Sequence, residues 1–173
     1  MLTRGPCYTK GVSKGPFLAL AAVYHRQVSP QTVEARIASF AELDARTFHD
    51  LLRLRIDVFV VEQRCPYPEL DGRDVEPGTR HLWLTRDGAV VAYLRILADP
   101  GGLARIGRVV VAPQARRGGY AGRLMAEALA TVGDRPCVLE AQSHLVGFYA
   151  RHGFAVSGPE YVEDGIPHTP MRR

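Results

Sequence analysis

The stretch that decides the fold is "PQARRGGYAGRLM", Pro113 to Met125, which follows directly on "RIGRVVVA", Arg105 to Ala112. An apolar strand runs into arginines and glycines, then into a segment with Ala121, Leu124, Met125, Ala128 and Val132 on one helical face. Gly133 ends that helix, and "PCVLEA" (Pro136–Ala141) is a second short apolar strand. Strand, helix and strand in this order form a βαβ unit with parallel strands. The helix start also carries chemistry. Its backbone N–H groups are unpaired and partly positive, so it attracts anions. Phosphate reaches that backbone only where side chains are small, and Gly118, Gly119, Ala121 and Gly122 are all small. Arg116 and Arg117 add two cations able to pair with phosphate oxygens. The GK[ST] of a nucleotide P-loop is missing, and no G-x-G-x-x-G follows the first strand. Taken alone, the loop is equally a glycine-softened turn with its arginines in solvent.

Working outward, "RIASF" (Arg36–Phe40) reads as a first strand. From Asp44 the residues Phe48, Leu51, Leu52, Ile56, Phe59 and Val60 recur at three- and four-residue spacing, which predicts a helix to about Val61. "RCPYPELDGRDVEPGTR" (Arg64–Arg80) holds three prolines and two glycines and reads as a long loop. "RHLWLT" and "AVVAYLRILA" flank Asp87-Gly88, a strong hairpin signal, and Pro100–Gly102 turns the chain into "ARIGRVVVA". These are three strands of an antiparallel meander. Ser143 is expected to cap a helix over "HLVGFYARHG" that closes at Gly153, and "FAVSG" and "HTPMRR" are expected as final strands. The fold class is therefore α/β (α+β), with a mixed central sheet.

Composition sets the outer bounds. A chain of 173 residues suits one domain with a continuous core, and no apolar run approaches the roughly 18 residues that span a bilayer. The net charge of +4 sits entirely in residues 1–33, which hold Arg4, Lys10, Lys14 and Arg26 and no acid. Beyond them 18 basic residues meet 18 acids, so a nucleic-acid-binding patch is not expected. Residues 1–33 therefore read as an N-terminal extension and 34–173 as the domain. A basic start and the short "FLALAAVY" lack a signal-peptide cleavage site. Cys7, Cys65 and Cys137 have no CxxC spacing, which argues against a zinc site or a disulfide framework and for a reducing compartment, the cytoplasm.

Context resolves the opening loop. Arg116-x-x-Gly119-x-Ala121, after a "VVV" strand and before a helix, resembles the pyrophosphate-binding motif of the GNAT superfamily of N-acetyltransferases. "FYARHGF" (Phe148–Phe154) resembles that superfamily's helix–turn–strand segment, whose tyrosine faces the cofactor sulfur. "LRLRIDVFVVEQRCPYPELDGRD", "HLWL", "AYLRIL", "IGRVVV", "LEAQSHLVGFYARHGF" and "EDGIPHTPM" together resemble its ElaA-like branch across most of residues 36–172.

The resemblance implies an acetyl-CoA-dependent N-acetyltransferase that moves an acetyl group directly to a small-molecule or peptide amine in a ternary complex. A non-catalytic acyl-CoA-binding module is the alternative. Under the first reading Val109, Val110 and Val111 contact the acetyl and pantetheine groups, and a free N–H there polarises the thioester carbonyl. Arg116, Arg117, Gly118, Gly119, Tyr120, Ala121 and Gly122 cradle the pyrophosphate. Tyr149 is the general acid for the departing thiolate. Glu62 and Glu140 lead the candidates for the general base, ahead of His81, His168 and Asp164. Glu69, Asp71 and Asp74 lack the calcium-loop pattern, so no metal is expected, and they read as a solvated loop shaping the acceptor pocket. Assembly is left open, a homodimer included.

Overall fold

A computed structural model describes residues 32–173. The extension expected over 1–33 lies outside the described residues except for Thr32 and Val33. Strand β1 (Val33–Ala38) starts there and pairs antiparallel with β2 (Arg80–Arg86). Between them run α1 (Ala45–Arg55) and a wider π-type continuation, Ile56–Glu62. Asp44 starts α1 by accepting the Thr47 amide at 2.8 Å and its hydroxyl at 2.7 Å. The apolar spacing foresaw one helix to Val61. The change of pitch at Ile56 is visible instead in the Gln63 N–H, which reaches back to the Val58 carbonyl at 3.0 Å.

The meander is β2, β3 (Ala89–Asp99) and β4 (Leu103–Val111), antiparallel throughout. Asp87 and Gly88 turn the first hairpin with φ of 51° and 81°, the pair of positive values that a two-residue hairpin turn requires. After the glycine-rich loop come α2 (Tyr120–Val132) and β5 (Cys137–Gln142), which pairs parallel with β4. A short α3 (Val146–Ala150) leads to β6 (Ala155–Val156), β7 (Tyr161–Glu163) and β8 (Ile166–Arg172). The sheet runs β1-β2-β3-β4-β5-β8, with β6 and β7 both on the far side of β8. Strand β7 lies outside the expected set. Ser143 does not cap a helix; its hydroxyl meets that of Thr169 at 2.9 Å, tying β5 to β8.

Residues Val91 to Leu97 of β3 are all buried, so both faces of the sheet are covered at its centre. Tyr93 and Arg95 face α1, with the Arg55 guanidinium 5.6 Å from the Tyr93 ring. Ala92, Leu94 and Ile96 alternate to the opposite face, where α2 packs on β2, β3 and β4. Leu124, Met125 and Ala128 are 0% exposed there, as the helical stripe requires. On the α1 side, α1 reaches β4 but not β5, β8 or β7, and among the described residues this leaves an open face. Among the described residues no helix is long and apolar enough to cross a membrane.

Candidate functional site

Strands β4 and β5 hold together at only two registered pairs, Ala104 with Cys137 and Arg105 with Val138. Beyond these they part, opening a cleft between Val109–Val111 and the end of β5. At the mouth of the cleft β4 is bulged. Arg95 pairs with Gly107 and Tyr93 with Val110, so Arg108 and Val109 together oppose Leu94 alone. Arg108 takes φ of 55°, a left-handed value costly for a residue with a Cβ. The bulge takes backbone out of the β3 ladder where the resemblance expects a thioester. Val110 is buried, and Val109 and Val111 are half-buried.

The loop after β4 leaves the start of α2 bare. Gly119 precedes α2 at φ of 77°, and no side chain caps the helix. Among the described residues the N–H groups of Arg117, Gly119, Tyr120, Ala121 and Gly122 donate to no protein acceptor; that of Gly118 meets the Ala115 carbonyl at 3.3 Å. A side chain at Gly118 would sit 2.7 Å from the Tyr120 ring and 3.1 Å from the Ala115 carbonyl, so it would have to displace both. A side chain at Gly122 would meet nothing within 4 Å; its absence leaves the first turn bare. Arg117 is exposed at φ of 65°. Arg116 is engaged: its two terminal nitrogens meet both oxygens of Glu62 at 2.7 Å. The hydrogen bonds from Arg116 hold the Glu62 carboxyl below the usual range.

Two further contacts continue that bridge. Gln63 and Gln142 meet at 3.4 Å, and the Cys65 thiol lies 3.5 Å from the Asp164 carbonyl. Glu62, Gln63 and Cys65 thus join the helix end to the phosphate loop, to the end of β5 and to the β7–β8 turn. Tyr149 lies in α3 with its ring buried and 6% exposed. Its hydroxyl has no hydrogen-bond partner among the described residues, and burial pushes it up to about 12. Glu140 stands on the open face, 3.3 Å from Arg105 and 3.2 Å from the Tyr161 hydroxyl. It shares no contact with Glu62.

The acidic loop departs from expectation. It is not solvated: Glu69 and Asp74 side chains are 2% and 5% exposed. Arg55, 0% exposed, meets Glu69 at 2.5 Å and Asp74 at 2.7 Å. Arg95 meets Asp74 at 2.9 Å and Asp71 at 2.5 Å, and Arg108 meets Glu69 at 2.7 Å. The Tyr67 hydroxyl also donates to Glu69. Three arginines thus neutralise three acids beneath the bulge. His81 belongs to this cluster rather than to an open site. Its Nε2–H donates to the Asp74 carbonyl at 3.0 Å and its Nδ1 accepts from Tyr93 at 2.8 Å. Sequence reading missed Arg55, although it falls four residues after Leu51 on the buried stripe of α1.

Comparisons with known proteins agree with this geometry. Residues 54–173 match the model of the acetyltransferase (GNAT) domain family. The UPF0039 protein Rv2851c of Mycobacterium tuberculosis is 52% identical over 136 residues, 76% of this chain and 87% of its own. Protein ElaA of Escherichia coli is 43% identical over 140 residues, 77% of this chain and 91% of its own. The crystal structure of Escherichia coli ElaA superposes with a TM-score of 0.78, covering 82% of this chain and 99% of that one at 38% identity. An acyl-CoA N-acyltransferase from Pseudomonas aeruginosa gives a TM-score of 0.77 at 44% identity, with the same coverage. The chain belongs to the GNAT acyltransferase family, in the UPF0039/ElaA branch.

Proposed function

We propose that this acyltransferase takes its acyl group from acetyl-CoA and passes it directly to an amine bound beside the thioester in a ternary complex. The observation that carries this reading is the parting of β4 from β5 next to the uncapped start of α2. One gap can hold a pantetheine arm while five free N–H groups face its pyrophosphate. The bulge at Arg108–Val109 offers a backbone N–H to the thioester oxygen, where it stabilises the charge that develops as the amine attacks. The open face of β4, β5, β8 and β7 lies across the bulge and can seat a small-molecule or peptide amine. The buried, reduced Cys65 and Cys137 suit the cytoplasm.

Tyr149 acts at the leaving group. At about 12 its hydroxyl stays protonated, well above a thiol of about 8.5. It therefore donates a hydrogen bond to the sulfur as the C–S bond breaks rather than surrendering its proton outright. Tyr149→Phe is expected to lower kcat by roughly 10²-fold and leave acetyl-CoA binding intact. Unchanged turnover would remove the tyrosine from the reaction. The assignment of donor is tested by thermal denaturation with acetyl-CoA, which should raise Tm by mass action. A screen for thiol release across polyamines, aminoglycosides, amino acids and peptide N-termini then tests transfer. A rise in Tm with no thiol release for any amine would favour a binding role instead.

A further inference from the structure

We propose that His168, rather than Glu62 or Glu140, is the base that takes the proton from the acceptor amine. The inference rests on the acetyltransferase reading and adds to it the residue that generates the nucleophile. His168 lies on β8, paired in register with Gln142 at the end of β5. Val138 of β5 is level with Arg105 of β4, so Gln142, four residues on, is level with the β4 bulge across the cleft. His168 therefore stands at the height of the reacting carbonyl. Its side chain also lies on the acceptor side. Register places Arg105, Val138, Glu140, Gln142, His168 and Tyr161 on one face of the sheet, the open one among the described residues.

The hydrogen bonding of the ring decides which nitrogen can act. Nδ1 lies 2.9 Å from the Ile166 carbonyl, which can only accept, so Nδ1 carries its hydrogen in every protonation state. In the neutral ring Nε2 then holds the lone pair, and among the described residues it has no hydrogen-bond partner. The Tyr161 ring stacks on the imidazole at 5.9 Å and 29°, which holds its plane while the residue stays partly accessible. The competing carboxylates are differently employed. Glu62 is clamped by both terminal nitrogens of Arg116, whose hydrogen bonds depress its basicity. Glu140 is shared between Arg105 and the Tyr161 hydroxyl. The groups around His168 are Gln142 and Glu140 from β5, Arg105 beyond them on β4, and Tyr161 and Glu163 from β7.

The proton balance closes. An alkylammonium acceptor gives one proton to His168 Nε2, directly or through one water, and the freed lone pair forms the C–N bond at the thioester carbon. The carbonyl π pair moves to oxygen, facing the bulge N–H. When that oxygen reforms the double bond, the C–S bond breaks and its pair leaves on sulfur. The second acceptor proton passes to the sulfur, giving the amide and the CoA thiol. One net proton remains on His168 and returns to solvent.

The test is the pH dependence of kcat/KM for His168→Gln, measured by thiol release with whichever panel amine the wild-type chain acetylates. The expected result is a loss of turnover of roughly 10²-fold and disappearance of the acidic limb, with the acetyl-CoA-induced rise in Tm retained. Nitrogen-15 NMR of the labelled wild type should show His168 as the tautomer protonated on Nδ1, a readout that needs no variant to fold. Amine acetylation with the acidic limb intact in His168→Gln overturns the base assignment and leaves the acetyltransferase reading standing. A tautomer protonated on Nε2 overturns it as well. Absence of thiol release with every amine, in a wild type that binds acetyl-CoA, overturns the acetyltransferase reading and the base with it.

Discussion

Two arginine–carboxylate clusters flank the cleft, built from the same chemistry and set in opposite solvents. Arg55, Arg95 and Arg108 meet Glu69, Asp71 and Asp74 beneath the β4 bulge, where the Arg55 and Glu69 side chains are 0% and 2% exposed. Arg116 and Glu62 meet at the phosphate loop, where they are 44% and 41% exposed. Where Arg55 meets Glu69 and Asp74 neither partner can find water as a substitute, so these pairs hold the α1–β2 loop as one body. In the exposed pair water or a ligand can replace either partner at little cost. The buried cluster is thus scaffold for the acyl end of the site. The exposed pair is a contact that the pyrophosphate of the proposed donor would exchange.

The largest expected effect follows from the buried side. Arg55→Ala leaves Glu69 and Asp74 short of a partner in a place that solvent does not reach, and should cost about 3–5 kcal/mol of unfolding free energy. Thermal denaturation should show Tm lower by about 10 °C. A loss below about 1 kcal/mol would mean that water fills the cluster and that the contrast between the two clusters is false.

Acidification probes the same cluster without mutation. Burial alone would raise Asp71 and Asp74, but hydrogen bonds from Arg95 and Arg55 outweigh it and hold both below the usual carboxylate range. A depressed carboxylate contributes stability that is complete above an unfolded value of about 4 and is lost as the pH falls through the folded one. Burial also lowers His81, so its protonation below about pH 6.5 favours the unfolded chain in the same direction. Urea denaturation at pH 7, 5 and 3.5 should therefore show stability that declines at each step. A maximum at pH 5 would contradict the sign for His81.

The contrast between the clusters also explains what could be read from the sequence. The glycine turn from β4 into α2 was legible because its signals are local. Gly118, Gly119 and Gly122 act through their own backbone within one turn, and strand, loop and helix follow one another without interruption. The meander was legible for the same reason, since Asp87-Gly88 states its turn. The buried cluster was not, because its partners lie far apart in the chain: Arg55 meets Glu69 14 residues on, and Arg95 meets Asp71 24 residues back. Acids around Gly72 in a proline-rich loop look solvated until the arginines of α1, β3 and β4 are folded against them. Strand β7 was missed because Tyr161, Val162 and Glu163 are all exposed, which leaves no alternation to read. The pairing of Glu62 with Arg116 was not legible either, because it spans 54 residues. The proposal for His168 needed the structure too, since it rests on a hydrogen bond to a carbonyl two residues away.

The smallest effect tests the exposed side of the comparison. Glu62→Gln removes the countercharge of Arg116 but keeps the shape of the side chain. With both partners more than two-fifths exposed, Tm should stay within measurement error of the wild type. The consequence falls on the ligand. Under the proposed reading, acetyl-CoA would compete with a bidentate carboxylate for the Arg116 guanidinium, and losing an exposed pair of this kind shifts an equilibrium by a factor of roughly 2–5. Acetyl-CoA should therefore bind Glu62→Gln about 2–5 times more tightly, as read by calorimetry at low salt, and the gain should shrink as salt screens the pair. Unaltered affinity would mean that Arg116 keeps Glu62 when the cofactor is bound. Weaker affinity would mean that Glu62 orders the loop for the pyrophosphate, and the exposed pair would then be scaffold like the buried one.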